Sequence, residues 1–169
     1  MTSNQKSIAK LPLWDELPGF SLHLDQLLDI TNSYVEPIIG ETVTKTMIHN
    51  YFKGQILDSP ETKGYERKQL AGAIVVDLLK NVFTLSEIKQ GLNWILVDVS
   101  PQEGYDNFAR MFNEQAAQKR IGSTKVTSID LKSASKATVM QYHAVQAILF
   151  WLLTRQILKD NLSPGNQSH

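Results

Sequence analysis

The chain has 169 residues, of which 42% are hydrophobic and 20% charged, a balance that suits a folded globular protein and excludes disordered acidic and collagen-like chains. Lys+Arg and Asp+Glu are each 17, so the formal net charge is zero and no large uniform field surrounds the molecule. Cysteine is absent, which removes thiol catalysis, Cys-based zinc sites and a disulfide framework.

Residues 1–20 read as an arm punctuated by Pro12, Pro18 and Gly19. Leu11, Leu13, Trp14, Leu17 and Phe20 predict that it packs onto the domain. Ser21 is the expected N-cap of a first helix carrying Leu24, Leu27, Leu28 and Tyr34 and stopping by Gly40. A shorter helix is expected from Thr44 to Lys53, with Ile48, Tyr51 and Phe52 on its apolar side and Gly54 at its exit. Residues 58–65 (DSPETKGY) predict a loop or short hairpin.

A third helix begins near Glu66 or Arg67, with Leu70, Ile74, Leu78 and Val82 at spacings of four. Thr84 to Glu87 forms a capping box for a helix bearing Ile88, Leu92 and Ile95. Trp94 on that helix is expected to pack where the domain meets the C-terminal helices. Ser100-Pro101-Gln102-Glu103 starts another helix, with Tyr105, Phe108, Met111 and Phe112, that ends at Gly122. Residues 123–135 are a Ser/Thr/Lys-rich connector, Lys136 to Asp160 the longest helix, and the segment from Asn161 a disordered tail. Strand signals are nearly absent, so the expected class is mostly α.

Charge is graded along the chain, from a net −3 over residues 1–40 to +3 over 101–169. Non-specific attraction to a polyanion is therefore modest, and geometry must supply more of any nucleic-acid affinity. No secretory signal is legible near the N-terminus, and the most apolar run, Ala147 to Leu153, falls far short of the roughly 20 residues a spanning helix needs. A cytoplasmic location is the expectation, with no membrane partner.

Motifs for phosphate, dinucleotide or zinc chemistry are missing, as is a serine nucleophile elbow. His23 with Asp25 or Asp29 offers two metal ligands without a third, His143 reads as a core or interface histidine, and Asp15-Glu16 reads as solvated charge. No set of nucleophile, base and oxyanion donors assembles, so the expectation is no enzyme activity, no metal and no cofactor.

The informative stretch is residues 43–95. Its segments are Thr44 to Tyr51, Ile56-Leu57, Gly64-Tyr65, Leu78-Leu79-Lys80 and Phe83-Thr84-Leu85-Ser86-Glu87-Ile88. In that order they resemble the N-terminal DNA-binding domain of MerR-type regulators. With the arm LPLWDELPGFSLHLDQ, the chain is similar to a bacterial family of uncharacterised MerR-like domains over residues 11–97. The resemblance implies a winged helix-turn-helix domain over residues 21–97; residues 101–169 resemble no family, and the helices at 98–160 are read as a dimerisation or effector region. The implied function is a transcription regulator that binds double-stranded DNA. Three features depart from the MerR pattern: a long interval between Gln26 and Thr44, a short wing, and Thr46 and His49 where arginine is common.

If Ile48, Tyr51 and Phe52 face inward, Lys45, Thr46, His49, Asn50 and Lys53 turn outward, at least partially. Asn can pair with adenine, and Thr, His and Lys can reach bases or phosphates. Lys63, Tyr65 and Arg67 would reach DNA from the wing, with a core role for Tyr65 as the equal alternative. Val145, Ile148, Leu149 and Leu152 on the last helix are the expected homodimer interface. Two rival readings remain: a protein-interaction adaptor, and a small-ligand sensor whose unidentified effector binds the C-terminal half.

Overall fold

In a computed structural model, residues 7–118 and 130–162 are described. Among them the chain forms a short 3-10 turn (Trp14–Glu16) and six helices: α1 (Leu24–Ile39), α2 (Lys45–Lys53), α3 (Arg67–Leu79), α4 (Leu85–Asp98), α5 (Pro101–Gln118) and α6 (Lys136–Leu162). The fold is all-α among the described residues. The expected end of α5 at Gly122 and most of the connector lie outside them. Asn161 and Leu162, assigned to the tail by the sequence, complete α6; the rest of the tail lies outside the described residues.

The helix starts follow local chemistry. Thr84 Oγ1 accepts from Glu87 N at 3.2 Å while Glu87 Oε2 accepts from Thr84 N at 2.8 Å, so the predicted box is present. Ser100 Oγ accepts from Glu103 N at 3.2 Å, and Ser135 Oγ from Thr138 N at 3.1 Å. The expected cap at Ser21 is displaced to His23, whose N–H meets Gln26 Oε1 at 2.9 Å. Residues just before α1 are committed to extended pairing instead: Leu22 and Tyr65 exchange backbone hydrogen bonds of 2.8 and 2.9 Å. Of the loop or short hairpin expected at residues 58–65, the loop is found, ending at that isolated bridge, and no strand occurs among the described residues.

Helix α3 is the centre of the molecule. It packs against α1, α4, α5 and α6, and all but its first two residues and Gly72 are buried. A spacing of four anticipates Leu70, Ile74 and Leu78 but not the burial of nearly the whole circumference. Val82 lies beyond the helix and is exposed. Helices α5 and α6 join the same hydrophobic cluster, which runs from Leu11 to Leu149. The boundary expected near residue 97 therefore does not divide the molecule into separate cores.

The arm packs down as expected. Leu11 and Leu17 are buried, Tyr105 Oη donates to Pro12 O at 2.8 Å, and Asn113 brackets the Leu11 backbone at 2.7 and 2.9 Å. Val145, Ile148 and Leu149 are fully buried within this single chain, and Leu152 is half-buried against its core. The apolar run read as a dimer interface is thus internal core over those three positions. The reason is geometric: α6 lies against α3, α4 and α5, so its own chain covers that side.

Candidate nucleic-acid interface and an adjoining cavity

Helices α1 and α2 are joined by Gly40 to Thr44. Gly40 has φ +80°, a left-handed conformation that ends α1, and its N–H reaches Glu36 O at 2.7 Å. The turn is held from α1 by Asn32, whose carboxamide accepts from Val43 N at 2.7 Å and donates to Val43 O at 3.1 Å. From the other side Arg155 of α6 donates to Ile39 O at 2.9 Å, pairs with Glu41 at 3.3 Å and stacks over Trp151 at 4.7 Å. Thr44 caps α2 by accepting from Met47 N at 3.3 Å. Asn32 and Arg155 carried no motif signal, because their partners are backbone atoms brought close only by folding.

Helix α2 is anchored by Ile48 and Tyr51, both buried. Tyr51 Oη donates to Asp77 Oδ1 at 3.1 Å, and Asp77, itself buried, takes Lys80 at 2.5 Å. Burial first, then the Asp77 charge and this hydrogen bond, push the Tyr51 phenol far above its ordinary range, so it stays protonated. With that side fixed inward, Lys45, Thr46, His49, Asn50 and Lys53 are all exposed. Lys45 pairs with Asp25 at 2.5 Å in an exposed ion pair, which screening makes weak. Lys89 reaches Gly54 O at 3.2 Å and adds a cation beside the end of α2.

The wing residues separate. Lys63 is exposed. Tyr65 is half-buried, with its ring 5.4 Å from Phe52 and its backbone paired to Leu22, a packing role. Arg67 is spent on the arm: its Nε donates to Leu17 O at 3.0 Å and it pairs with Asp15 at 3.6 Å. Gly64 is required by close approach, since a Cβ there would fall 1.6 Å from Ser21 Oγ.

A half-open cavity of about 700 Å³ is lined by α3, α4, α5 and α6 together with Trp14 and residues 56–58. Its walls include Val75 of α3, Ile88 and Leu92 of α4, Phe108 of α5 and Ala144 of α6. Helix α4 forms one wall with only Ile88 buried, and Trp94, expected at an internal junction, is 45% exposed. Among the described residues no cluster of three potential metal ligands occurs, and no helix is long and apolar enough to cross a membrane.

These features define a six-helix protein, counted over the described residues, with one polar exposed helix and a separate apolar cavity. The model of a family described as a domain of unknown function, DUF1836, matches residues 12–115, more than half of the chain, and the protein belongs to that family. The match overturns the MerR assignment, since no MerR or helix-turn-helix family is found; it also runs through the boundary expected at residue 97. No curated protein and no solved structure matches the chain.

Proposed function

We propose that this protein is a non-enzymatic DNA-binding regulator of transcription that acts in the cytoplasm and presents α2 to the major groove of double-stranded DNA. The observation that carries the reading is the α1–α2 unit. A turn pinned on both sides holds a short helix whose five outward polar residues are exposed together. Asn50 and His49 are suited to base edges, and Lys45, Lys53 and Lys63 to phosphates. Arg67 and Tyr65 leave the set of contacts because the arm and Phe52 occupy them.

Regulators of this kind commonly read two half-sites as dimers. In this reading a homodimer would use α6 beyond the buried Leu149, where Ile157 and Leu158 are 43% and 57% exposed.

The test is selection of bound sequences from random duplexes with the purified full chain, followed by isotherms at several salt concentrations. Asn50→Ala should weaken a selected duplex by about 1–3 kcal/mol and relax one base position. Lys53→Ala should weaken all duplexes alike and reduce the salt slope by about one. Failure to enrich any sequence, or variants that bind as the parent does, would remove α2 as a DNA surface.

A further inference from the structure

We propose that the cavity walled by α4 is a binding site for a small, uncharged, mainly apolar organic molecule with one hydrogen-bonding group, which Gln141 receives. The proposal stands apart from the DNA-binding reading, and its test uses no DNA.

Size is the first support. About 700 Å³ lies within the range of small-molecule pockets. Construction is the second. Small residues stand in the lining on each of the four helices: Ala71, Gly91, Gly104 and Ala147. Gly104 is explained by tight packing, with Ile95 Cγ2 3.3 Å from where its Cβ would be. Gly91 is not so explained. A Cβ there would meet only the end of Met140, at 3.6 Å, an ordinary contact. Glycine is disfavoured inside a helix, so its presence at an unfilled wall marks space that is kept open.

Charge and hydrogen bonding narrow the ligand class. Of the charged groups of the lining, Lys68 pairs with Asp58 at 2.7 Å, while the Glu87 carboxylate accepts from Thr84 N and Oγ1 at 2.8 and 3.0 Å; His143, also in the lining, is exposed. An anionic ligand would lose hydration there while the one lysine of the lining, Lys68, is already paired. Tyr105 is likewise committed, to Pro12 O. Gln141 differs. It is more than nine-tenths buried, it lines the cavity, and its Nε2 donates to Gly104 O over a long 3.5 Å. A carboxamide at the cavity wall held by one long bond favours a ligand that offers it a hydrogen-bonding group.

The experiment titrates the full chain with N-phenyl-1-naphthylamine, a neutral fluorophore with one N–H, and maps the contact by methyl NMR on the unaltered protein. Saturable binding of one probe per chain is expected, with shifts at Val75, Ile88 and Leu92. The anionic analogue 1-anilinonaphthalene-8-sulfonate should bind about tenfold more weakly for lack of a counter-charge. Ala147→Leu should fill the space and lower probe affinity by about tenfold or more, while Gln141→Leu should weaken this probe and leave naphthalene binding unchanged. No saturable binding, or shifts confined to Val97, Ile157 and Leu158 on the outer surface, would overturn the site. Equal or tighter binding of the anion would overturn the uncharged class. Should the substituted proteins not fold, the map on the unaltered chain decides alone.

Discussion

Tyr51 of α2 donates its phenol proton to Asp77 of α3 at 3.1 Å, and both side chains are buried, so the polar-faced helix is joined by a directional bond to the centre of the core. Asp77 also holds Lys80 at 2.5 Å, which leaves its charge paired. Tyr51→Phe should therefore cost only about 1 kcal/mol, because Asp77 keeps its cation. Asp77→Ala strands both Tyr51 and Lys80 and should cost about 2–3 kcal/mol, moderated by the partial exposure of Lys80. Urea denaturation of the two single variants and the double variant measures the coupling. A non-additive double variant is expected.

Alkaline stability should respond to the same phenol. Tyr51 and Tyr105 are both raised, chiefly by burial, above the ordinary value of about 10. A raised folded-state value means that the unfolded chain gives up its proton first. The stabilising contribution is complete below about pH 10 and is lost as pH rises through the folded-state values. Thermal melts at steps above pH 9 should show a falling midpoint, and Tyr51→Phe with Tyr105→Phe should flatten that fall.

Arg155 ties α6 to the end of α1 through Ile39 O and to the turn through Glu41. Arg155→Ala should cost about 1–2 kcal/mol and raise amide hydrogen exchange at residues 40–44, with α3 unaffected. Lysine should rescue little of the effect, because the fork that meets a carbonyl and a carboxylate together is lost.

Arg67→Ala should free the arm. Its Nε bond to Leu17 O fastens residues near Trp14, so faster proteolysis of the arm is expected with no change in the salt slope of DNA binding. Lys63→Ala should do the reverse, leaving proteolysis unchanged and lowering the slope by about one.

Leu149→Glu should abolish folding and not merely dissociate a dimer. Leu149 is completely buried in the single chain, and an unpaired carboxylate there has no cation to meet. Circular dichroism showing a native helix content for this variant would contradict the internal packing of α6.

Much of the helical framework was legible because its signals are local. Thr44, Thr84 and Ser100 each satisfy free amides within one turn, and Ile48 and Tyr51 sit on one side of α2 by the helical period alone. The exposure of Lys45, Thr46, His49, Asn50 and Lys53 followed from the same period. Long-range partners were not legible. Arg67 and Arg155 look like free cations in a string of residues, yet each is used on a backbone carbonyl distant in sequence. Ala147 to Leu153 is apolar on every side, and no periodicity distinguishes a helix covered by its own chain from one covered by a partner. The packing of α6 against α3 and α5 buries Ile148 and Leu149 within the chain, while Phe150 stays 49% exposed. The cavity has the same origin: Ala71, Gly91 and Ala147 carry no signal in sequence, and only the meeting of their helices sets these small residues around one space.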